Sequence, residues 1–248
     1  MNWMKKVAVA LVCLLPLGLQ AAKVDTLQVK SPSMNKSIEV VVVSPDMAAT
    51  EACPVIYLLH GYGGNARTWV GIKPDLPKIA DEKGIFFVCP DGKNTWYWDS
   101  PLNADVRYET FISDELVKYV DSHYKTVADR KGRAITGLSM GGHGAMWNGL
   151  RHSDVFSAAG STSGGVDIRP FPKNWEMSVQ IGEKAKYPEN WEKYTVINLV
   201  PTLRKDQIAL IFDCGDSDFF LEVNKNYHEA LLKQGIDHDL DRKSTRLN

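Results

Sequence analysis

The 248-residue sequence has no excess of either charge: 29 Lys and Arg against 30 Asp and Glu leave a formal net charge of -1. That balance excludes a basic face for nucleic acid and a polybasic patch for anionic membranes. Cysteine is scarce. Cys13 lies in an apolar leader, which leaves Cys53, Cys89 and Cys214, an odd number with no CxxC spacing. Neither a zinc motif nor a disulfide framework follows from that pattern, and three buried thiols beside strand-like runs are expected. A long apolar run is also missing. Val7 to Leu19, broken by Pro16 and Gly18, falls short of the roughly 20 residues a bilayer-spanning helix needs. Internal repeats, low-complexity tracts and long linkers are absent, so one domain with one substantial core is expected.

What is present begins with an export signal over residues 1–21. Lys5 and Lys6 precede the apolar run, and Leu19-Gln20-Ala21 supplies a small-residue cleavage pattern. Cys13 sits inside the run rather than after it, which argues against a lipid anchor. A mature chain starting near Ala22 or Lys23, secreted or periplasmic and without a stable membrane anchor, is expected.

Strand-like runs alternate with amphipathic stretches over the rest. The runs are Ile38–Val43, Val55–Leu59, Ile85–Cys89, Ala134–Gly137, Phe156–Gly160 and Ile208–Asp213. Several are apolar throughout, as in a mostly parallel sheet covered by helices on both faces. Tyr108, Phe111, Ile112, Leu116, Tyr119 and Val120 recur at helical spacing, and a second helix is expected over Val223–Gln234, ended by Gly235. Asp167 to Arg204, with four prolines and Trp175, Tyr187, Trp191 and Tyr194, reads as an irregular excursion between strands. It either covers a site or packs on the surface.

Gly137-Leu138-Ser139-Met140-Gly141 has a strand-like segment before it and a helix-compatible one after it. A sharp strand-to-helix turn lifts the serine Oγ above a sheet, and the glycines permit the turn. Ser139 is the candidate nucleophile. Val55 to Leu59 runs into His60-Gly61-Tyr62-Gly63-Gly64, a glycine loop that lets backbone N–H groups converge on one oxygen. The backbone amides of Tyr62 and Met140 are the candidate oxyanion donors. His60 precedes the serine, so its expected task is shaping this loop. Chain order in such sites directs the search for an orienting acid downstream. There, Ile208 to Asp213 leads into Cys214-Gly215-Asp216-Ser217-Asp218. Asp218 is the choice, Asp216 the runner-up, and turn formation or helix capping the alternative for either.

Taken together these segments resemble the esterase D-like family of α/β-hydrolases. That family includes S-formylglutathione hydrolases, tributyrin, feruloyl and acetylxylan esterases, and the antigen 85 mycolyltransferases. The matching residues are His60 to Gly64, Trp96-Tyr97-Trp98-Asp99-Ser100-Pro101, Glu115-Leu116, Gly137 to Ala145, and Asp213-Cys214-Gly215 with Asp218-Phe219. The resemblance implies an α/β-hydrolase fold and a serine carboxylic-ester hydrolase working through an acyl-enzyme, with no cofactor and no metal. It supports Asp218 as the acid. It also puts Trp96 and Trp98 near the substrate pocket, core packing being the alternative for both. His143 matches as well, with packing behind the nucleophile as its expected role. Expected substrates are small-molecule or carbohydrate esters. The export signal disfavours S-formylglutathione, and acyl transfer of the antigen 85 kind and a non-catalytic carbohydrate-binding member are the alternatives.

A catalytic histidine is the missing piece. After Asp218 only His228 and His238 remain, the first within a helix and the second where a last strand begins. In the resembled family the base follows that strand in a Gly-Gly-His segment. Here the chain reads Asp241-Arg242-Lys243-Ser244-Thr245-Arg246-Leu247-Asn248. Those residues back-translate as GATCGGAAGAGCACACGTCTGAAC, the start of a widely used sequencing adapter. The expectation is a hydrolase domain over residues 22–240 and a non-native tail over 241–248.

Overall fold

The computed structural model describes residues 22–243, so the expected export signal lies outside the described residues. Eight strands form one sheet: β1 (Lys23–Ser31), β2 (Lys36–Ser44), β3 (Val55–Leu59), β4 (Phe86–Pro90), β5 (Arg133–Gly137), β6 (Ala158–Thr162), β7 (Ala209–Gly215) and β8 (Asp239–Lys243). Their spatial order is β1-β2-β4-β3-β5-β6-β7-β8. β1 pairs antiparallel with β2, and β2 antiparallel with β4. From β4 to β8 every pairing is parallel. This is the α/β-hydrolase architecture.

The helices are α1 (Thr68–Ile72), α2 (Leu76–Lys83), α3 (Tyr108–Thr110), α4 (Leu116–His123), α5 (Met140–Arg151), α6 (Met177–Ile181), α7 (Pro188–Lys193) and α8 (Leu221–Gln234). A π-helical turn over Phe111–Glu115 joins α3 to α4, making one bent rod of the segment read as a single helix. Gly235, left-handed at φ 71°, ends α8 by taking the carbonyls of Leu231 and Leu232.

Strand alternation divides the core. Val40 and Val42 of β2 join Tyr57, Ile135 and Phe212 under Leu116 and Val120 of α4, Met146 and Trp147 of α5, and Tyr227 of α8. Val41 and Val43 face the other way, with Leu58 and Phe87 under Leu76 and Ala80 of α2. The uniformly apolar strands are those with both faces covered. β1 was not among the expected strands. Its sequence KVDTLQVKS is half exposed, as suits a sheet edge held by one partner.

At the other edge β8 pairs with β7 from Ile211–Asp239 to Gly215–Lys243. The strand therefore runs three residues into the segment expected to be non-native. Backbone pairing makes weak demands on side-chain identity at an edge, which accommodates this. Cys53, Cys89 and Cys214 are free and buried.

Candidate active site

A parallel sheet brings the carboxyl ends of its strands to one edge, and the glycine-bearing turns after β3 and β5 meet there. Ser139 sits between β5 and α5 with φ 56° and ψ -113°, a conformation disfavoured for any residue with a Cβ. Its N–H donates to the Thr162 carbonyl at 2.8 Å, which ties the turn to the end of β6. The tightness of the turn makes glycine obligatory at 141: a Cβ there would lie 2.1 Å from the Leu59 carbonyl oxygen. Met140, the first residue of α5, is buried beneath the turn.

The loop after β3 packs directly on this turn. A Cβ at Gly61 would lie 3.6 Å from the Ser139 Cβ and 3.3 Å from the Leu138 carbonyl oxygen. Gly61 to Gly64 form a tight turn, with the Gly64 N–H donating to the Gly61 carbonyl at 3.0 Å and Gly63 at φ 77°. Among the described residues no acceptor takes the backbone N–H of Tyr62 or of Met140. Two amides beside an upraised serine are what an oxyanion pocket requires.

His60 is buried in the same loop and shapes it. Its Nδ1–H donates to the Gly61 carbonyl at 2.8 Å, while its Nε2 accepts the Gly92 N–H at 2.9 Å. His143 is equally occupied. Nδ1–H donates to the Gly165 carbonyl and Nε2 accepts the Trp98 indole N–H, each at 2.8 Å. Burial lowers its pKa to about 4, against the opposing effect of the Gly165 bond, so the ring stays neutral.

Trp96 and Trp98 are both fully buried and stacked, with ring centroids 5.6 Å apart. They lie under the site and back it through His143 and through Trp175, whose carbonyl accepts the Trp96 indole N–H at 3.2 Å. The excursion after β6 adds residues that sequence reasoning did not single out for the site. Trp175 packs against Phe171, Phe219 and Phe220. Glu176 hydrogen-bonds Asn94. Only the aromatic richness of residues 167–204 hinted at this.

Asp218 lies in the turn after β7. Its N–H donates to the Gly215 carbonyl at 3.0 Å, and its Oδ1 accepts the Phe220 N–H at 2.8 Å at the entry to α8. Asp213 lies within β7, its Oδ2 accepting from the Thr162 hydroxyl at 3.2 Å. β5 and β7 flank β6, so the strands carrying Ser139 and Asp218 run about 10 Å apart, a gap one imidazole can bridge.

The sequence holds six histidines, and His60 and His143 are engaged as described. His123 and His152 stand at the far ends of α4 and α5. His228 Nδ1 and His238 Nε2 bond each other at 2.7 Å, and His238 stacks on Phe212. Because His238 precedes β8, it lies about five strand residues, ~17 Å, below the Gly215 end of the sheet. No metal-holding group of three or more His, Cys, Asp or Glu occurs among the described residues. Nor is any helix among them long and apolar enough to cross a membrane.

With that geometry in place, comparison with known proteins identifies the class. The model of the family described as Putative esterase matches residues 31–236, and the chain belongs to that family. An acetyl esterase of Caldicellulosiruptor saccharolyticus is 26% identical over 206 residues, covering 76% of this chain and 74% of that protein. An esterase of Mycobacterium tuberculosis is 30% identical over 242 residues, covering 86% of this chain but only 52% of that protein. Among solved structures, a ferulic acid esterase superposes with a TM-score of 0.75 at 28% identity, over 91% of each chain. The protein is a carboxylic ester hydrolase.

Proposed function

We propose that this hydrolase cleaves acyl esters of carbohydrates or small alcohols through an acyl-enzyme on Ser139. The observation that carries this reading is the left-handed Ser139 at the head of α5, with the Gly61–Gly64 loop packed against it. The Ser139 oxygen attacks the ester carbonyl, and its proton passes through a base to the departing alcohol. The carbonyl oxygen, negative in the tetrahedral intermediate, is held by the amides of Tyr62 and Met140. Water then adds to the acyl-enzyme by the same route and releases the acid. Asp218 orients that base. Trp96 and Trp98 act from beneath, keeping the loop after β4 and the excursion in place around the substrate. The names of the acetyl and ferulic acid esterases favour acyl groups of that range.

Full-length protein with its native terminus should hydrolyse p-nitrophenyl acetate, and Ser139→Ala should lower kcat at least ~1000-fold. Retention of more than a tenth of wild-type turnover would remove Ser139 from the mechanism. We also propose export with cleavage after residue 21. Mass spectrometry of protein recovered from a Gram-negative periplasm should give a chain starting at Ala22 or Lys23, and a cytosolic product retaining residues 1–21 would refute export.

A further inference from the structure

Resting on that esterase reading, we infer that Asn94 and Glu176 are positioning residues: a path of hydrogen bonds from Glu176 through Asn94 to the Gly63 N–H holds the neighbouring Tyr62 amide in its working orientation. The path joins three segments distant in sequence. The Gly63 N–H donates to Asn94 Oδ1 at 2.9 Å. The other end of the same carboxamide, Nδ2–H, donates to Glu176 Oε2 at 3.3 Å. Tyr62 is thus held at the peptide that follows it.

This arrangement matters because the His60 and Gly64 bonds to the Gly61 carbonyl leave the Gly63 N–H to Asn94. Gly61, Gly63 and Gly64 have no side chains, and their freedom is what lets the chain approach Ser139. The Gly63 N–H belongs to the central peptide of the turn, the unit that flips most readily between turn types. Asn94 pins that peptide. The Tyr62 N–H is one peptide away, and an oxyanion donor is useful only when fixed before charge develops.

The backbone around both partners is strained in a way that packing alone does not demand. Glu176 (φ 53°, ψ 21°) and Trp175 (φ 48°) are consecutive left-handed residues, and Lys93 (φ 49°) immediately precedes Asn94. Each costs of order 1 kcal/mol or more, and such conformations persist where the surroundings over-determine them. A second tie, from the Trp96 indole N–H to the Trp175 carbonyl, holds the same two segments together. Asn94 is half-exposed and Glu176 exposed, where polar pairs add little to stability. Loss of the path should therefore appear in the chemical step rather than in folding.

The test uses the full-length enzyme with its native terminus and p-nitrophenyl acetate. Asn94→Ala and Glu176→Ala should each lower kcat ~10-fold. That is a fraction of the 100- to 1000-fold that outright loss of an oxyanion donor costs. KM should stay within about twofold and Tm within about 2 °C, given how little exposed pairs stabilise. Glu176→Gln, which keeps an acceptor, should restore at least half the rate. The Asn94→Ala, Glu176→Ala double variant should be no slower than the slower single one, because both cut one path. Amide exchange at Gly63 should accelerate in Asn94→Ala and in Glu176→Ala. Unchanged kcat in both alanine variants, an effect confined to KM, or additive losses in the double variant would overturn the inference. If the wild-type enzyme lacks Ser139-dependent esterase activity, the functional reading fails instead. Amide exchange then decides the tether alone, and unaltered Gly63 protection overturns it.

Discussion

The two edges of the central sheet are built by different rules. Nine non-glycine residues among those described have positive φ. Lys93, Trp96, Tyr97, Ser139, Ser163, Trp175 and Glu176 all lie in segments that follow β4, β5 or β6 at the carboxyl edge. Asp206, just before β7, stands alone at the amino edge, and Asn35 turns the β1–β2 hairpin. The amino edge is held by ordinary pairing. Arg130 donates from Nε to the Ser153 carbonyl and from an Nη to the Gln207 carbonyl, and Arg133 pairs with Asp121. A cavity of about 390 Å³ at this edge, lined by Arg130, Asp206 and His238, lies far from Ser139. Strain accumulates where backbone groups must be aimed at a reacting atom, and side-chain pairing suffices where only cohesion is needed.

That contrast can be broken at its strongest point with Gly141→Ala. The new Cβ would collide with the Leu59 carbonyl, part of the backbone, so the turn must open. Esterase activity should disappear, and stability should fall by about 3 kcal/mol or more, beyond the usual cost of one extra methyl. Near-wild-type turnover measured on purified Gly141→Ala protein would mean that the elbow geometry is not what activates Ser139.

The amino side supplies a stability test with a pH signature. Glu109 of α3 is buried, and its carboxylate accepts from Trp147 Nε1, Arg151 Nε and His152 Nε2 at 2.7, 2.8 and 2.9 Å. Burial alone would raise its pKa, but the bonds from His152 and Arg151 outweigh it and hold the group at about 2. A depressed folded-state value means its stabilisation is complete above the ordinary value of 4.5 and fades as pH falls toward 2. Glu109→Gln should therefore cost ~2 kcal/mol at pH 7, with the difference from wild type shrinking in acid. Denaturation by urea at pH 7 and pH 3 measures both. An equal cost at the two values would remove Glu109 from the acid response.

The smallest effect is expected at the far histidines. His228→Ala or His238→Ala should cost ~1 kcal/mol, the worth of one hydrogen bond, and leave kcat unchanged. Loss of ester hydrolysis in either variant would show that one of them reaches Ser139 after all, and the contrast between the edges would fail.

Much of this is legible in the sequence. The apolar run at Val55–Leu59 is strand β3, because a strand covered on both faces carries little besides apolar residues. Ile208–Asp213 falls largely on β7, although Ala209 and Ile211 are exposed there. Other boundaries moved: the run placed at Phe156–Gly160 became Ala158–Thr162, since Phe156 is core packing ahead of the strand. β1 escaped notice because an edge strand can be polar.

By itself, the sequence determined the order of the parts. Glycine spacing around Ser139 and after His60 encodes backbone turns that few other residues can make, so a local string is enough to read them. The tertiary structure decided which side chains share those turns. Trp96 and Trp98 went beneath the site rather than into the open, with His143 and Trp175 taking their N–H groups. Asn94 and Glu176, 82 residues apart, meet beside the Gly61–Gly64 loop, and no local pattern announces such a pair. His228 and His238 went to the wrong edge for Ser139 because a parallel strand sends whatever precedes it to the amino end. That placement belongs to sheet topology, which short-range periodicity does not encode.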